Sequence, residues 1–214
     1  MLLEWENVSG RKSDFRLQNI SFKLPAGYIM GLAGENGAGK TTFIDYMMNP
    51  KKRYHGTIKL DGVDIHDNHR KVLNDIGFVS ENNMFFSDLS ISVNSQMIGV
   101  FYEKWDKELF ERVLREMNIS VGKVVGSLSR GEFMKFQMAF ALAHHPRLYL
   151  LDEVTAGMDP VFRIEFFKLL QDVIAREEAS VLMTSHIKGE MERKMDYLGV
   201  LKKGKLIRFG EVEG

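Results

Sequence analysis

The sequence has no cysteine, which excludes disulfides and thiolate metal sites and fits a reducing compartment. It has no apolar run near the roughly 18 residues that a membrane-spanning helix needs, so work at a membrane is expected to go through a partner. The opening Met1-Leu2-Leu3-Glu4-Trp5-Glu6 lacks the basic and apolar regions of a signal peptide. Neither sign of charge dominates. With 29 Lys plus Arg against 29 Asp plus Glu, there is no general nucleic-acid footprint, and no direct nucleic-acid partner is expected. Repeats, low-complexity tracts and disordered linkers are missing too. What is present is the composition of an ordinary globular protein, 44% hydrophobic and 27% charged. Its 214 residues are enough for one large domain or a core with a subdomain.

The most informative stretch runs from Tyr28 to Met48. Tyr28 to Ala33 reads as a short buried strand, and helical apolar spacing begins at Phe43 and Ile44 and reaches Met47. Between them, Gly34, Gly39, Lys40 and Thr41 occupy the fixed places of G-x-x-x-x-G-K-[ST]. Phosphate binding explains each choice. Gly34, Gly37 and Gly39 let the backbone turn so that several N–H groups converge on an anion-sized concavity. The helix start adds its positive dipole end. Asn36, Gly37, Ala38, Gly39, Lys40, Thr41 and Thr42 are therefore expected to cradle a nucleoside triphosphate. Lys40 would reach its outer phosphates, and the Thr41 hydroxyl would ligate Mg²⁺.

Along the chain, residues 3–8, Ile20–Leu24, Thr57–Leu60, Ile76–Ser80, Leu148–Leu151 and Val181–Thr184 read as strands. A polar helical stretch falls near Asp67–Asn74, and Tyr197–Phe209 reads as a hairpin turning at Lys203-Gly204. Alternating strands and helices around a phosphate loop indicate an α/β protein with a parallel sheet and an antiparallel N-terminal portion. From Ser87 to His145 the pattern predicts almost continuous helix, an inserted subdomain. Phe110, Val113, Leu114 and Met117 form one amphipathic face there. Ser129 and Glu132 form a capping box ahead of the run from Gly131 to His144. Pro160 opens a later helix, with Phe162, Phe166, Leu169, Leu170 and Val173 on its buried face. His144 and His145 read as helix-end residues, and the methionines as core filler.

Leu148 to Leu151 ends in Asp152-Glu153, placing two acids at the edge where parallel sheets bind ligands. Successive strand residues point opposite ways, so the two can differ in role. Asp152 suits Mg²⁺, and Glu153 suits orienting or deprotonating the attacking water. Just upstream lies Leu128-Ser129-Arg130-Gly131-Glu132. Here the chain resembles the ATP-binding cassette family, whose signature Leu-Ser-Gly-Gly-Gln it matches at Leu128, Ser129 and Gly131. The resemblance covers the chain in order, from phosphate loop to signature to acid strand, then Asp159 and His186.

The resemblance implies a P-loop NTPase core at 1–84 and 146–214, with residues 85–145 as the helical subdomain. It also implies an ATPase that uses ATP and Mg²⁺ and closes as a head-to-tail dimer. In that dimer Ser129 and Gly131 face the nucleotide of a second cassette subunit, the same or different. Asp159 would link the two sites, and His186 would reach the γ-phosphate. Phe15 is the aromatic candidate for stacking on the base, with Arg11 as a possible substitute.

The sequence also departs from the family. Glu81 stands where a glutamine is usual and is expected still to ligate the metal. Arg130, Glu132 and Val154 replace usual residues, and Ala156-Gly157-Met158-Asp159 is an atypical loop. The segment from Asn82 to Val100, with Phe85 and Phe86 expected at the surface, lies where the family docks transmembrane permease subunits. Phe101 to Asp106 and the Ser-Arg-Gly signature look most like single-domain bacterial exporter subunits, including antibiotic-resistance types. The protein is thus expected on the cytoplasmic face of the cell membrane. The alternative is a soluble cassette ATPase acting on a non-transport macromolecular partner.

Overall fold

The protein is described by a computed structural model that accounts for all residues except 13–14, 82–84, 156–157, 159, 178, 187–193 and 213–214. The side chains at 12, 160–162, 176 and 177 are not described either. In chain order the strands are β1 (Leu3–Lys12), β2 (Phe15–Leu24), β3 (Ile29–Ala33), β4 (His55–Leu60), β5 (Val63–Asp64), β6 (Ile76–Ser80), β7 (Leu148–Asp152), β8 (Ser180–Ser185), β9 (Tyr197–Lys202) and β10 (Lys205–Glu211). The helices are α1 (Lys40–Met48), α2 (His69–Asn74), α3 (Ile91–Gly99), α4 (Lys107–Glu116), α5 (Arg130–Leu142) and α6 (Pro160–Glu177).

Two sheets form. An antiparallel sheet has the order β2-β1-β4-β5, and a mainly parallel one has the order β10-β9-β3-β8-β7-β6, with only β10 antiparallel to its neighbour. β2 shows the expected alternation, with Ile20, Phe22 and Leu24 buried between exposed Ser21 and Lys23. β3, β7 and β8 are buried along nearly their whole length, as strands covered on both faces must be. α1 lies between the sheets. Its Phe43 ring stacks on Trp5 at 3.9 Å, and Trp5 stacks on Phe22. The antiparallel sheet thereby clamps the helix that follows the phosphate loop.

The parallel register aligns the C-terminal strand ends. Ser80 pairs with Asp152, Asp152 with Thr184, and Ala33 with Ser185. Glu81, Glu153, His186 and Gly34 each follow one of these ends, so chain positions more than a hundred residues apart meet at one edge.

The stretch from Ser87 to His145 corrects one expectation. It is three separate helices, with a 3₁₀ turn at Val125–Ser127, rather than nearly continuous helix. Ser90 and Asp106 break it. Ser90 Oγ accepts the Val93 N–H, and Asp106 accepts the Leu109 N–H, so each starts a new helix. Asn118 then takes φ 58°, which ends helical geometry after α4. Phe85 corrects another. It is buried, with its ring 4.5 Å from that of Phe136, while Phe86 is exposed. His144 lies just past the Ala143 C-cap of α5, inside the core, stacked 4.1 Å from Tyr102. Burial pulls its pKa down to about 4.

Candidate functional site

At the aligned strand ends lies a cavity of about 470 Å³ lined by Phe15, Asn36, Gly37, Gly39, Lys40, Thr41, Thr42, Glu81, Asp152 and Glu153. Ten of the residues singled out in the sequence therefore share one concavity. His186 is exposed and lines a neighbouring cavity of about 410 Å³ on the other side of the loop, which Asn36 and Gly37 also border. Asp159 lies outside the described residues.

The loop is built for an anion. α1 starts at Lys40 with neither a side-chain cap nor an acidic residue in its first turn, leaving its first N–H groups open to a ligand. Gly39 has φ 116°, and a Cβ there would lie 2.7 Å from the Phe15 ring. Only glycine lets Phe15 close over the helix start. Lys40 is almost fully buried and folds back over the loop. Its ammonium donates to the Gly34 carbonyl at 2.6 Å and pairs with Glu153 at 3.2 Å.

The acids are held by a residue that sequence reasoning passed over. Buried Thr184, on β8, donates its hydroxyl to Asp152 Oδ1 at 2.6 Å and accepts the Glu153 N–H at 3.1 Å. Its only sequence signal was its place beside Ser185 and His186. The second bond meets Glu153 in the left-handed region, at φ 53°, a conformation costing on the order of 1–3 kcal/mol for a residue with a Cβ. Burial raises the Asp152 pKa above its ordinary value. Thr184 opposes the rise, Glu153 and Glu81 add to it, and Lys40 opposes it. These oxygens and the Thr41 hydroxyl suit a hard divalent cation. Among the described residues, however, no three His, Asp or Glu side chains already form an ion cage, so such a cation would also need phosphate and water oxygens.

The signature segment sits outside the cavity. Ser129 caps α5, its hydroxyl accepting the Glu132 N–H while Glu132 accepts the Ser129 N–H. Lys123 and Ser129 hold the Glu132 carboxyl down to about 2. Ser129, Arg130 and Gly131 are exposed. α5 nonetheless grips the cavity wall. Its buried Gln137 bonds both the N–H and the carbonyl of Ser80, and Arg130 pairs with Glu81.

The sequence profile of ABC transporters matches residues 17–156. The chain belongs to the ABC transporter family. This cassette is 30% identical over 195 residues to a bacitracin transport ATP-binding protein, BcrA, of Bacillus licheniformis. That match takes in 89% of this chain but 63% of the relative, so the cassette spans less than two thirds of that protein's length. It is also 30% identical to a Nod factor export ATP-binding protein of Burkholderia lata, across 97% of this chain and 70% of that one. A solved ATP-binding subunit of an ABC transporter superposes with a TM-score of 0.89, covering 99% of this chain and 90% of that one at 24% identity. At that identity the likeness shows the fold: the α/β P-loop core with its antiparallel portion.

Proposed function

We propose that this cassette is the ATP-hydrolysing subunit of a membrane transporter, an exporter, working at the cytoplasmic face of the membrane as a head-to-tail dimer of cassettes. The observation that carries this reading is the convergence of Lys40, Asp152 and Glu153 on one cavity while Ser129 and Gly131 stay exposed outside it. In this reading Ser129 and Gly131 face the nucleotide of a second cassette rather than this chain's own.

In this reading Phe15 supports the base, and residues 36–42 hold the phosphates. Thr41, Asp152 and Glu81 would hold Mg²⁺, which would supply charge stabilisation at the transferring phosphoryl group. Glu153 leaves its pair with Lys40 to orient or deprotonate the attacking water, which frees Lys40 for the phosphate charge. His186 approaches the γ-phosphate from the neighbouring cavity, and Asp159 links the two sites across the dimer. Binding closes the dimer, and phosphate release reopens it.

Residues 85–145 form the helical subdomain that meets the permease. Exposed Val93, Met97, Val100 and Phe101 fall at i, i+4, i+7 and i+8, an apolar stripe continuing α3, with exposed Phe86 nearby. No helix among the described residues is long and apolar enough to cross a membrane. A permease fits that stripe, and the export-named relative supports the direction.

Glu153→Gln tests the dimer. Light scattering should show monomers turning into dimers only with ATP and Mg²⁺. An ATP-bound chain that stays monomeric would refute self-pairing of the isolated chain and point to a different cassette partner or to a membrane scaffold that holds the two together.

A further inference from the structure

A second cavity, of about 810 Å³, opens between the β1–β2 hairpin and the loop after α1, lined in part by Arg11, Arg16, Arg53, His55 and His66. Phe15 borders the nucleotide cavity and Arg16 borders this one; adjacent strand residues face opposite ways, so the two cavities lie on different sides of the hairpin. Arg11 and Arg16 are directly opposed cross-strand partners, which brings two guanidinium groups to one side of it. Arg16 and Arg53 take part in no ion pair among the described residues. The nearby carboxylate of Asp64 accepts the His66 N–H instead.

Two phenol hydroxyls complete the set. Tyr54 lines the cavity, and its buried hydroxyl has no hydrogen-bond partner among the described residues. Tyr46 is 1% exposed, and its hydroxyl likewise has none among them. It lies 2.3 Å from where a Gly10 Cβ would stand, and Gly10 lines the cavity. Glycine at position 10 is what leaves room for that hydroxyl behind the cavity wall. Buried polar groups left unpaired cost about 1–3 kcal/mol each, so two together call for an explanation. Guanidinium groups, imidazoles and the Tyr54 phenol line it as donors, the complement of a multiply charged oxyanion.

We infer that this cavity is a second anion site, taking a multiply charged phosphate group separately from the nucleotide. The volume exceeds that of a single phosphate and admits a larger molecule bearing one. Free polyphosphate compounds and the headgroups of anionic lipids share this chemistry.

The probe is inorganic tripolyphosphate, titrated calorimetrically into the intact chain saturated with ADP so that the phosphate loop is filled. One tripolyphosphate per chain should bind, at least tenfold more weakly in the Arg16→Ser/Arg53→Ser variant, with ADP affinity unchanged within twofold. All the substituted side chains are exposed, and Arg16→Lys/Arg53→Lys should restore much of the binding. Absence of binding, binding indifferent to the serine pair, or a parallel loss of ADP affinity would overturn the inference. Sedimentation with phosphatidylglycerol vesicles assigns the source. Capture that tripolyphosphate competes away and the serine pair abolishes identifies a lipid headgroup, and no capture identifies a free phosphate compound. Binding of single-stranded RNA without tripolyphosphate binding would replace the anion site with a nucleic-acid surface.

Discussion

Replacing Thr184 with valine removes one oxygen and keeps the shape, so it isolates what that hydroxyl does. Two bonds disappear: donation to Asp152 at 2.6 Å and acceptance of the Glu153 N–H at 3.1 Å. A hydrogen bond to a charged group contributes about 1.5–3 kcal/mol, and stranding the N–H adds about 1 kcal/mol. The valine methyl, buried where the hydroxyl was, returns up to about 0.8 kcal/mol. The net loss is about 2–3 kcal/mol. In a domain of this size that lowers Tm by roughly 4–12 °C, measurable by calorimetry on the nucleotide-free chain. The loss also depends on pH, and its sign is fixed. Asp152 already has a raised pKa, and Thr184 opposes the rise, so the variant raises it further. A carboxyl whose folded pKa lies above its unfolded value loses stability as pH rises from that unfolded value through the folded one. The deficit of Thr184→Val should therefore be smallest in acid and grow as pH climbs above about 4. Thr184→Ser keeps the hydroxyl and should recover the pH dependence. If the valine variant matches the parent in Tm, or its deficit stays flat with pH, the hydroxyl does not hold the two acids.

Gly39→Ala forces a Cβ into φ 116° and to 2.7 Å from Phe15; it should lower stability by about 1–3 kcal/mol and weaken ATP binding, while Gly37→Ala, with open space beside it, should cost less stability. His144, held at about 4 by burial, must charge when the chain unfolds in acid. Its folded pKa lies below the unfolded value, so stability should fall between pH 6.5 and 4, and His144→Leu should flatten that fall in urea titrations. The Arg130–Glu81 pair joins two half-exposed side chains, so a double-mutant cycle on stability should give only about 0.2–1 kcal/mol, screened by salt. Glu81→Gln should instead shift the Mg²⁺ concentration for half-maximal ATPase activity, and an unchanged value would remove Glu81 from the metal site.

What could be read from the sequence was local in sequence. The loop residues Gly34 to Thr41 are contiguous, and their spacing alone states their geometry. The capping box of Ser129 and Glu132 closes within four residues and appears as read. What escaped is set by register. Thr184 meets Asp152 only because β7 and β8 pair in one register, and Gln137 meets Ser80 across 57 residues. The residues at Arg130 and Glu81 stood out singly as departures from the family, but nothing in the sequence said that they bond each other. The overextended helix from Ser87 arose differently. Apolar periodicity was read, but the capping residues Ser90 and Asp106, which are equally local, were not.

The charge inventory of the cavity argues for how the nucleotide must arrive. Among the described residues Glu81, Asp152 and Glu153 line it against one ammonium, Lys40, and that ammonium is already engaged with Glu153. Arg130 adds a second cation, but from the signature helix at the rim, where it is bound to Glu81. A triphosphate entering alone would bring further negative charge into a half-buried space that already disfavours ionised Asp152. The N–H groups at the α1 start offset only a fraction of that charge. A divalent cation held by these carboxylates would remove the conflict, and Glu81, which would help to hold it, also connects the cavity to α5. In the proposed mechanism the metal position and Arg130 therefore draw on the same carboxylate, so filling the cavity would be felt at the exposed segment Ser129 to Gly131.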